Sequence, residues 1–322
     1  MRRVDARWLV IPDRTFPLDL GPLFDRTAPF EMEIGFGRGE FLVHRAKANP
    51  DINYIGIESA WGSIQRTLRR VAREGVTNIR VIFANAAWAI QRLFPKNVFR
   101  HIWSLFPDPW PKSRHEHHRL GHPDFFVHIA RILEPGGRFT LATDDTIYAS
   151  WLEQQWPARF FSVTMEHYSN SPRFGTKYET RWLLMGKEIQ VFHWRKIRHP
   201  DLKEPEPWAM EIYKFSHSFE PSRVVGNGAD HEGEVTVAFK GFYWDAVKRV
   251  GFFRVVIKEG ALIQKVFLEL KDGPRGWTLS PSNMCTFLPT YGLRKALDFA
   301  YARVVAAGPG NRESFSDAES RS

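Results

Sequence analysis

Short hydrophobic runs recur along the first two thirds of the chain, and most are followed by a stretch of helical period. Phe30-Glu-Met-Glu-Ile-Gly-Phe36 predicts a strand, Gly37-Arg-Gly39 a tight turn, and Glu40–Ala48 a helix stopped by Asn49-Pro50. A second strand over Asn53–Ile57 ends on Glu58. The helix predicted over Trp61–Glu74 separates its faces, with Trp61, Ile64, Leu68 and Val71 on one side and Arg66, Arg69, Arg70 and Arg73 on the other; Gly75 suits its C-cap. Asn78–Phe83 predicts a third strand, with Asn85 at its end and a short helix over Ala86–Leu93. His101–Phe106 predicts the fourth strand, which halts at Pro107. A helix over Pro123–Leu133, a turn at Glu134-Pro-Gly-Gly137, a fifth strand at Arg138–Thr143 and a helix over Thr146–Trp156 follow. Phe161–Met165 and Gln190–Trp194 read as strands on either side of a polar, aromatic loop, Ser169–Arg181. This alternation predicts an α/β fold: a largely parallel sheet with helices on both faces.

The pattern also divides the chain. Residues 1–29, broken by four prolines, read as an irregular arm, and residues 30–199 as the α/β domain. Residues 200–210, rich in acid and proline, read as a linker. Residues 211–307 predict a small α+β unit, with strands at Glu234–Trp244, Phe252–Lys258 and Leu262–Lys271 and a helix at Thr290–Ala306. Residues 308–322 read as a frayed tail.

Charge sharpens this division. Residues 1–200 hold 29 Lys/Arg against 20 Asp/Glu, whereas residues 201–322 hold 16 of each, so the whole surplus of +9 lies in the first part. A basic field confined to one domain points to a polyanionic partner, of which nucleic acid is the commonest. No apolar run approaches a membrane span, Met1-Arg-Arg lacks the hydrophobic region of a signal peptide, and Cys285 stands alone, excluding an internal disulfide. A cytoplasmic location with no membrane partner is the expectation.

The candidate chemistry gathers after predicted strands. The order strand, glycine turn, helix, strand, acid is that of a nucleotide-cofactor unit; the glycines admit the ligand to the backbone, and an acid about 20 residues on can take ribose hydroxyls. Gly-x-Gly-x-Gly alone does not separate dinucleotides from S-adenosylmethionine. Glu33, inside an apolar strand, needs a partner, either a cationic ligand or a buried arginine. In the stretch Leu105–Leu120, three prolines in five residues stiffen a loop that carries Asp108 and Trp110, followed by Lys112, Arg114, His115, His117, His118 and Arg119. Trp110 suits stacking on a base or packing of its own loop. The arginine stripe suits a phosphate-facing surface or a solvated face. Three histidines in four positions without a scaffold do not make a metal site, and none is expected.

Glu33-Ile-Gly-Phe-Gly-Arg-Gly39, Glu58, Phe106-Pro-Asp-Pro-Trp-Pro-Lys112, Arg114-His115, Thr143-Asp144 and Thr176-Lys-Tyr-Glu179, in this order, resemble the bacterial tRNA (guanine-N7-)-methyltransferases over residues 30–197. The resemblance implies a Rossmann-like class I S-adenosylmethionine-dependent methyltransferase sheet with a C-terminal α+β extension outside the shared pattern. It implies methyl transfer from S-adenosyl-L-methionine to N7 of the guanosine at position 46 in the tRNA variable loop. Glu33, Gly35, Gly37, Glu58, Asn85 and Asp108 would contact the cofactor, and Asp108 would be catalytic. Lys112, Asp144, Thr176, Lys177, Tyr178 and Glu179 would hold the nucleotide, with Arg66, Arg69, Arg70, Arg73, Arg114, His115 and Arg119 as further tRNA contacts. The chain departs from the family at Asn85, where acid is common, and at His117-His118-Arg119, where Lys-Arg-Arg is usual; the histidines make the phosphate grip there pH-dependent. Two rivals are an amino-group methyltransferase on adenine or cytosine, faintly echoed in Asp108-Pro-Trp110, and a non-catalytic RNA-binding protein with a methyltransferase fold.

Overall fold

The computed structural model describes residues 6–10, 15–112, 116, 119–203, 208–209, 212–259, 262–282, 284–285 and 287–308. The chain divides into two units, Met1–Ala209 and Met210–Ser322.

The first unit runs β1 (Leu9–Val10), β2 (Thr15–Phe16), β3 (Phe30–Ile34), α1 (Glu40–Ala48), β4 (Asn53–Glu58), α2 (Trp61–Glu74), β5 (Ile79–Phe83), α3 (Ala86–Arg92) and β6 (Phe99–Leu105). It continues with α4 (Pro123–Ile132), β7 (Leu133–Thr143), α5 (Thr146–Glu153), β8 (Phe161–Tyr168), α6 (Lys177–Leu184), β9 (Ile189–Lys196) and β10 (Trp208–Ala209). Eight strands form one sheet in the order β1-β5-β4-β3-β6-β7-β9-β8. The first six are parallel; β9 lies antiparallel to β7, and β8 antiparallel to β9. Strands buried on both faces explain the near-continuous apolar runs: Met32, Ile55, Ile57, Ile79, Val81, Ile82, Phe99, Ile102, Phe139 and Leu141 are all buried. The chain leaves β3 outward through β4 and β5, then returns to β6 on the other side. The sequence order therefore reverses at β3, and in open α/β sheets ligands bind beyond the strand ends at such a reversal.

Several expectations need correction. The N-terminal arm is not wholly irregular: Leu9 and Val10 pair with Val81 and Ile82, and Trp8, Leu20 and Phe24 are buried. The linker is likewise partly structured, because Trp208 and Ala209 pair with Phe16 and Thr15. Glu134-Pro-Gly-Gly137 belongs to β7, whose pairing with β6 shifts register between Phe99 and His101. Trp61, placed by periodicity with the apolar face of α2, is 42% exposed and meets Phe83 edge-on, whereas Ile64, Leu68 and Val71 are buried. The loop expected over Ser169–Arg181 contains the start of α6. Its signal was the Thr176-x-x-Glu179 capping pattern: Thr176 Oγ1 accepts from Glu179 N at 3.1 Å.

The second unit contains β11 (Tyr213–Phe215), β12 (Asn227–Glu232), β13 (Val235–Asp245), β14 (Val250–Glu259), β15 (Leu262–Gly273), β16 (Gly276–Pro281) and α7 (Tyr291–Ala306). Its antiparallel sheet runs β11-β16-β15-β14-β13-β12; strands β11, β12 and β16 were not anticipated. Alternate residues, including Val237, Phe239, Phe253, Val255, Val266 and Leu268, form a core with Leu293, Leu297 and Ala300 of α7. The other face of β14 and β15 sets cations against apolar residues, pairing Arg254 with Phe267, Lys265 with Val256 and Lys258 with Ile263. Of the expected frayed tail, only Gly308 is among the described residues.

Candidate functional site

The site lies in the first unit, at the C-terminal ends of β3, β4 and β6. At Gly35 and Gly37 the turn after β3 has φ of 72° and 53°, a region open to glycine, and an added Cβ at either would meet nothing within 4 Å. Backbone and free space thus face each other, as a cradle for a ligand requires. Glu58 ties the turn to β4: its carboxylate accepts from Gly37 N at 3.0 Å, Ser59 N at 2.8 Å and Ala60 N at 2.9 Å. Its other lone pairs are left for a ligand. Asn85 lies after β5, beside β4, and caps α3 by accepting from Trp88 N at 3.1 Å through Oδ1.

Glu33 is the site's least ordinary group. It is 3% exposed, and its Oε2 has no hydrogen-bond partner. Burial pushes its carboxyl up to about 8; the Leu42 N–H opposes this, while Glu58 and Glu40 add to it. The buried-arginine alternative is not what the structure shows: Arg45 instead meets Glu31 at 2.9 Å. A buried carboxyl with a free oxygen beside an open glycine turn fits a cationic ligand.

The loop after β6 is held under strain. Phe106 and Trp110 have φ of 55° and 44°, each costing on the order of 1–3 kcal/mol for a residue with a side chain. Between them Asp108 is exposed, flanked by Pro107 and Pro109. Arg119, expected to contact tRNA, is instead 7% exposed and serves the loop: its Nε donates to Pro109 O at 2.9 Å and its Nη2 to Trp110 O at 3.2 Å. A guanidinium suits this because its rigid fork spans successive carbonyls. Its removal from the surface corrects its assignment as a tRNA contact.

The third wall is the segment before α6. Glu179 was expected to hold the nucleotide, but it is fully buried. Its carboxylate accepts from Arg173 N at 2.6 Å, Phe174 N at 2.9 Å, Gly175 N at 2.7 Å and the Tyr168 hydroxyl at 2.5 Å. In this structure its carboxylate therefore shapes the 173–175 turn and does not face solvent. Lys177 N donates to Glu40 Oε2 at 2.8 Å, joining this segment to the helix after the glycine turn. Lys177 and Tyr178 are exposed, Tyr178 by 52%. Asp144 pairs with Lys187, whose Nζ stands 4.1 Å over the Trp182 ring, and Lys112 is exposed. Arg114, His115, His117 and His118 lie outside the described residues. Among the described residues no group of His, Cys, Asp and Glu could hold a metal ion, and no helix is long and apolar enough to cross a membrane.

Arg38, Glu40, Thr67 and Lys187 were not singled out from sequence. Glu40 follows the glycine turn directly and could have been read with it; the others had no local signal.

The family model described as "Putative methyltransferase" matches residues 27–192. A tRNA (guanine-N(7)-)-methyltransferase of Aquifex aeolicus is 30% identical over 274 residues, which is 83% of this chain and 91% of that protein. One of Thermus thermophilus is 29% identical over 307 residues, covering 93% of this chain and 97% of its own. The likeness to the Thermus protein therefore takes in most of the C-terminal extension, contrary to its expected place outside the shared pattern. Among solved structures, the 16S rRNA methyltransferase KamB is 14% identical over 53% of this chain and 89% of its own, with a TM-score of 0.43. With the glycine turn, the strand-end acids and the Pro-Asp-Pro-Trp loop following neighbouring parallel strands, and with relatives that align along nearly its whole length, the chain belongs to the tRNA (guanine-N7-)-methyltransferase family.

Proposed function

We propose that the chain transfers the methyl group of S-adenosyl-L-methionine to N7 of the guanosine at position 46 in the tRNA variable loop. The observation that carries this reading is Glu33, a buried carboxyl with a free oxygen beside an open glycine turn. The cofactor's ammonium would supply the missing charge, Gly35 and Gly37 the close backbone approach, and Glu58 and Asn85 polar contacts to the ribose and adenine.

The bound cofactor supplies a methyl already activated on a sulfonium. Guanine N7 carries an in-plane lone pair, so no base must first remove a proton. The protein's task is orientation and stabilisation of positive charge arriving on the purine. Asp108, held between two prolines, would accept from guanine N1–H and N2–H₂ and favour the cationic product. Lys112, Asp144, Thr176, Lys177 and Tyr178 would hold the nucleotide, and Arg66, Arg69, Arg70 and Arg73 the tRNA backbone. Arg114 and His115 would make further tRNA contacts.

Labelled methyl transfer to unmodified tRNA, with the product located on the base, tests the proposal. 7-Methylguanosine in the variable loop is expected. A methyl on an exocyclic amino group would favour the amino-methyltransferase rival, and tRNA binding without transfer would favour the non-catalytic one.

A further inference from the structure

The arginines of α2 do not stand alone. Arg38, between Gly37 and Gly39 of the cofactor turn, lines the same surface hollow of about 270 Å³ as Arg66, Arg69, Arg70 and Arg73. The two elements are fastened together there. Thr67 Oγ1 donates to Gly37 O at 3.3 Å, and a Cβ on Gly39 would lie 2.5 Å from Thr67 Cγ2, so the turn rests directly on α2. That close contact keeps Arg38 above the helical stripe.

Local carboxylates do not balance this charge. Arg70 lies 3.7 Å from both Glu40 and Glu74, and Arg73 lies 3.5 Å from Glu74, which Lys47 also approaches at 3.3 Å. Arg38, Arg66 and Arg69 form no ion pair with a described residue. Five guanidiniums thus share two carboxylates. A solvated helix face would account for a stripe along α2, but not for a fifth arginine brought to the same hollow from a different element. Guanidinium forks converging on one concavity suit phosphate oxygens.

We infer that Arg38 completes a phosphodiester-binding basin with the four arginines of α2, taking backbone phosphates of the tRNA beside the cofactor turn. The inference rests on the tRNA reading above and adds to it a site, and a member that belongs to the glycine turn itself. In this basin Arg38 contacts RNA and not the methyl donor.

The test uses the full chain. Unmodified tRNA is bound to wild type, Arg38→Gln, Arg38→Lys and Arg69→Gln at salt concentrations between about 50 and 200 mM, while S-adenosylhomocysteine affinity is measured in parallel by calorimetry. Arg38→Gln and Arg69→Gln should each lower the slope of log K against log salt by roughly 0.7–0.9, making the affinity loss across that range about threefold smaller than in wild type. Arg38→Lys should keep most of the slope, and S-adenosylhomocysteine affinity should stay within about twofold of wild type throughout. A wild-type slope in Arg38→Gln, with a lowered one in Arg69→Gln, would overturn the role of Arg38; wild-type slopes in both would overturn the basin. Loss of S-adenosylhomocysteine affinity in Arg38→Gln would also overturn it, by showing that Arg38 acts on the turn. These outcomes leave the proposed function standing, whereas a wild-type protein that neither binds nor methylates tRNA would remove both.

Discussion

Cofactor binding should expel a proton from Glu33. In the free protein the carboxyl sits at about 8, above its ordinary value of 4.5, chiefly because it is buried. At pH 7 about nine in ten molecules therefore carry the proton. An ammonium placed beside the carboxyl favours the charged form and would lower its pKa by roughly 1–3 units. Between about 0.4 and 0.9 proton should then leave per ligand bound at pH 7. S-adenosylhomocysteine, which keeps the ammonium, suffices as the ligand. Calorimetry in two buffers of different ionisation enthalpy reads the number directly. Affinity should rise with pH and level off above about 8, where the free carboxyl is already ionised. Glu33→Gln should abolish the release and weaken binding by about 1.5–3 kcal/mol, the usual worth of a hydrogen bond to a charged group. The same group sets a stability trend. Its folded value is raised, so its own contribution to stability is greatest below about pH 4.5 and declines as pH rises towards 8, by at most on the order of 4–5 kcal/mol. Glu33→Gln should flatten that decline and melt higher at pH 8. Ligand binding without proton release, or a release that persists in Glu33→Gln, would refute the assignment.

Asp108→Ala and Asp108→Asn should both nearly abolish methyl transfer while weakening S-adenosylhomocysteine binding only modestly; wild-type turnover in the asparagine variant would remove Asp108 from the chemistry. Arg119→Gln leaves Pro109 O and Trp110 O without their guanidinium donor and should cost about 1–3 kcal/mol of stability by chemical denaturation. It should also lower kcat more than it weakens S-adenosylhomocysteine binding, and an unchanged kcat would show that the strained loop holds its shape unaided. A chain ending at Ala209 keeps β10 and a net charge of +7 out of the total of +9, so it should retain methyl transfer and most of the salt slope of tRNA binding while melting at a lower temperature. A well-folded truncated protein with a clearly shallower slope would instead assign phosphate contacts to the cationic sheet face of Arg254, Lys258 and Lys265.

The parallel sheet was legible because its strands are buried on both faces and so appear as unbroken apolar runs, separated by helices with strong periodicity. What escaped was structure decided by a distant partner. Leu9–Val10 and Trp208–Ala209 are strands only because Val81–Ile82 and Thr15–Phe16 are present to receive them. At the site, motif order was enough to put Glu33, Glu58 and Asp108 on or just after the neighbouring strands β3, β4 and β6. It could not separate a side chain that faces the ligand from one that builds the wall. Arg119 and Glu179 stand in motifs that read as contacts, yet both are buried and bonded to backbone of the loops they support. Charge and motif position are the same for either role, and only burial distinguishes them. Arg38 stands between two glycines with no local signal, and only the fold brings it to the hollow lined by the arginines of α2.

Strand β1, only two residues long, has a consequence for how copies of the protein behave in a crowd. An uncovered edge strand offers its free N–H and C=O groups to any other chain and so templates aggregation. Without residues 1–10, β5 would present such an edge, carrying Ile79, Val81 and Ile82. Leu9 and Val10 cover its centre and are themselves too short to seed further pairing. The opposite edge is defended by chemistry: β8 places Glu166 and His167 outward, engaged with Arg173 and Glu188. The sheet thus ends in a two-residue strand on one side and in charged, ion-paired side chains on the other, two different guards against pairing with another chain.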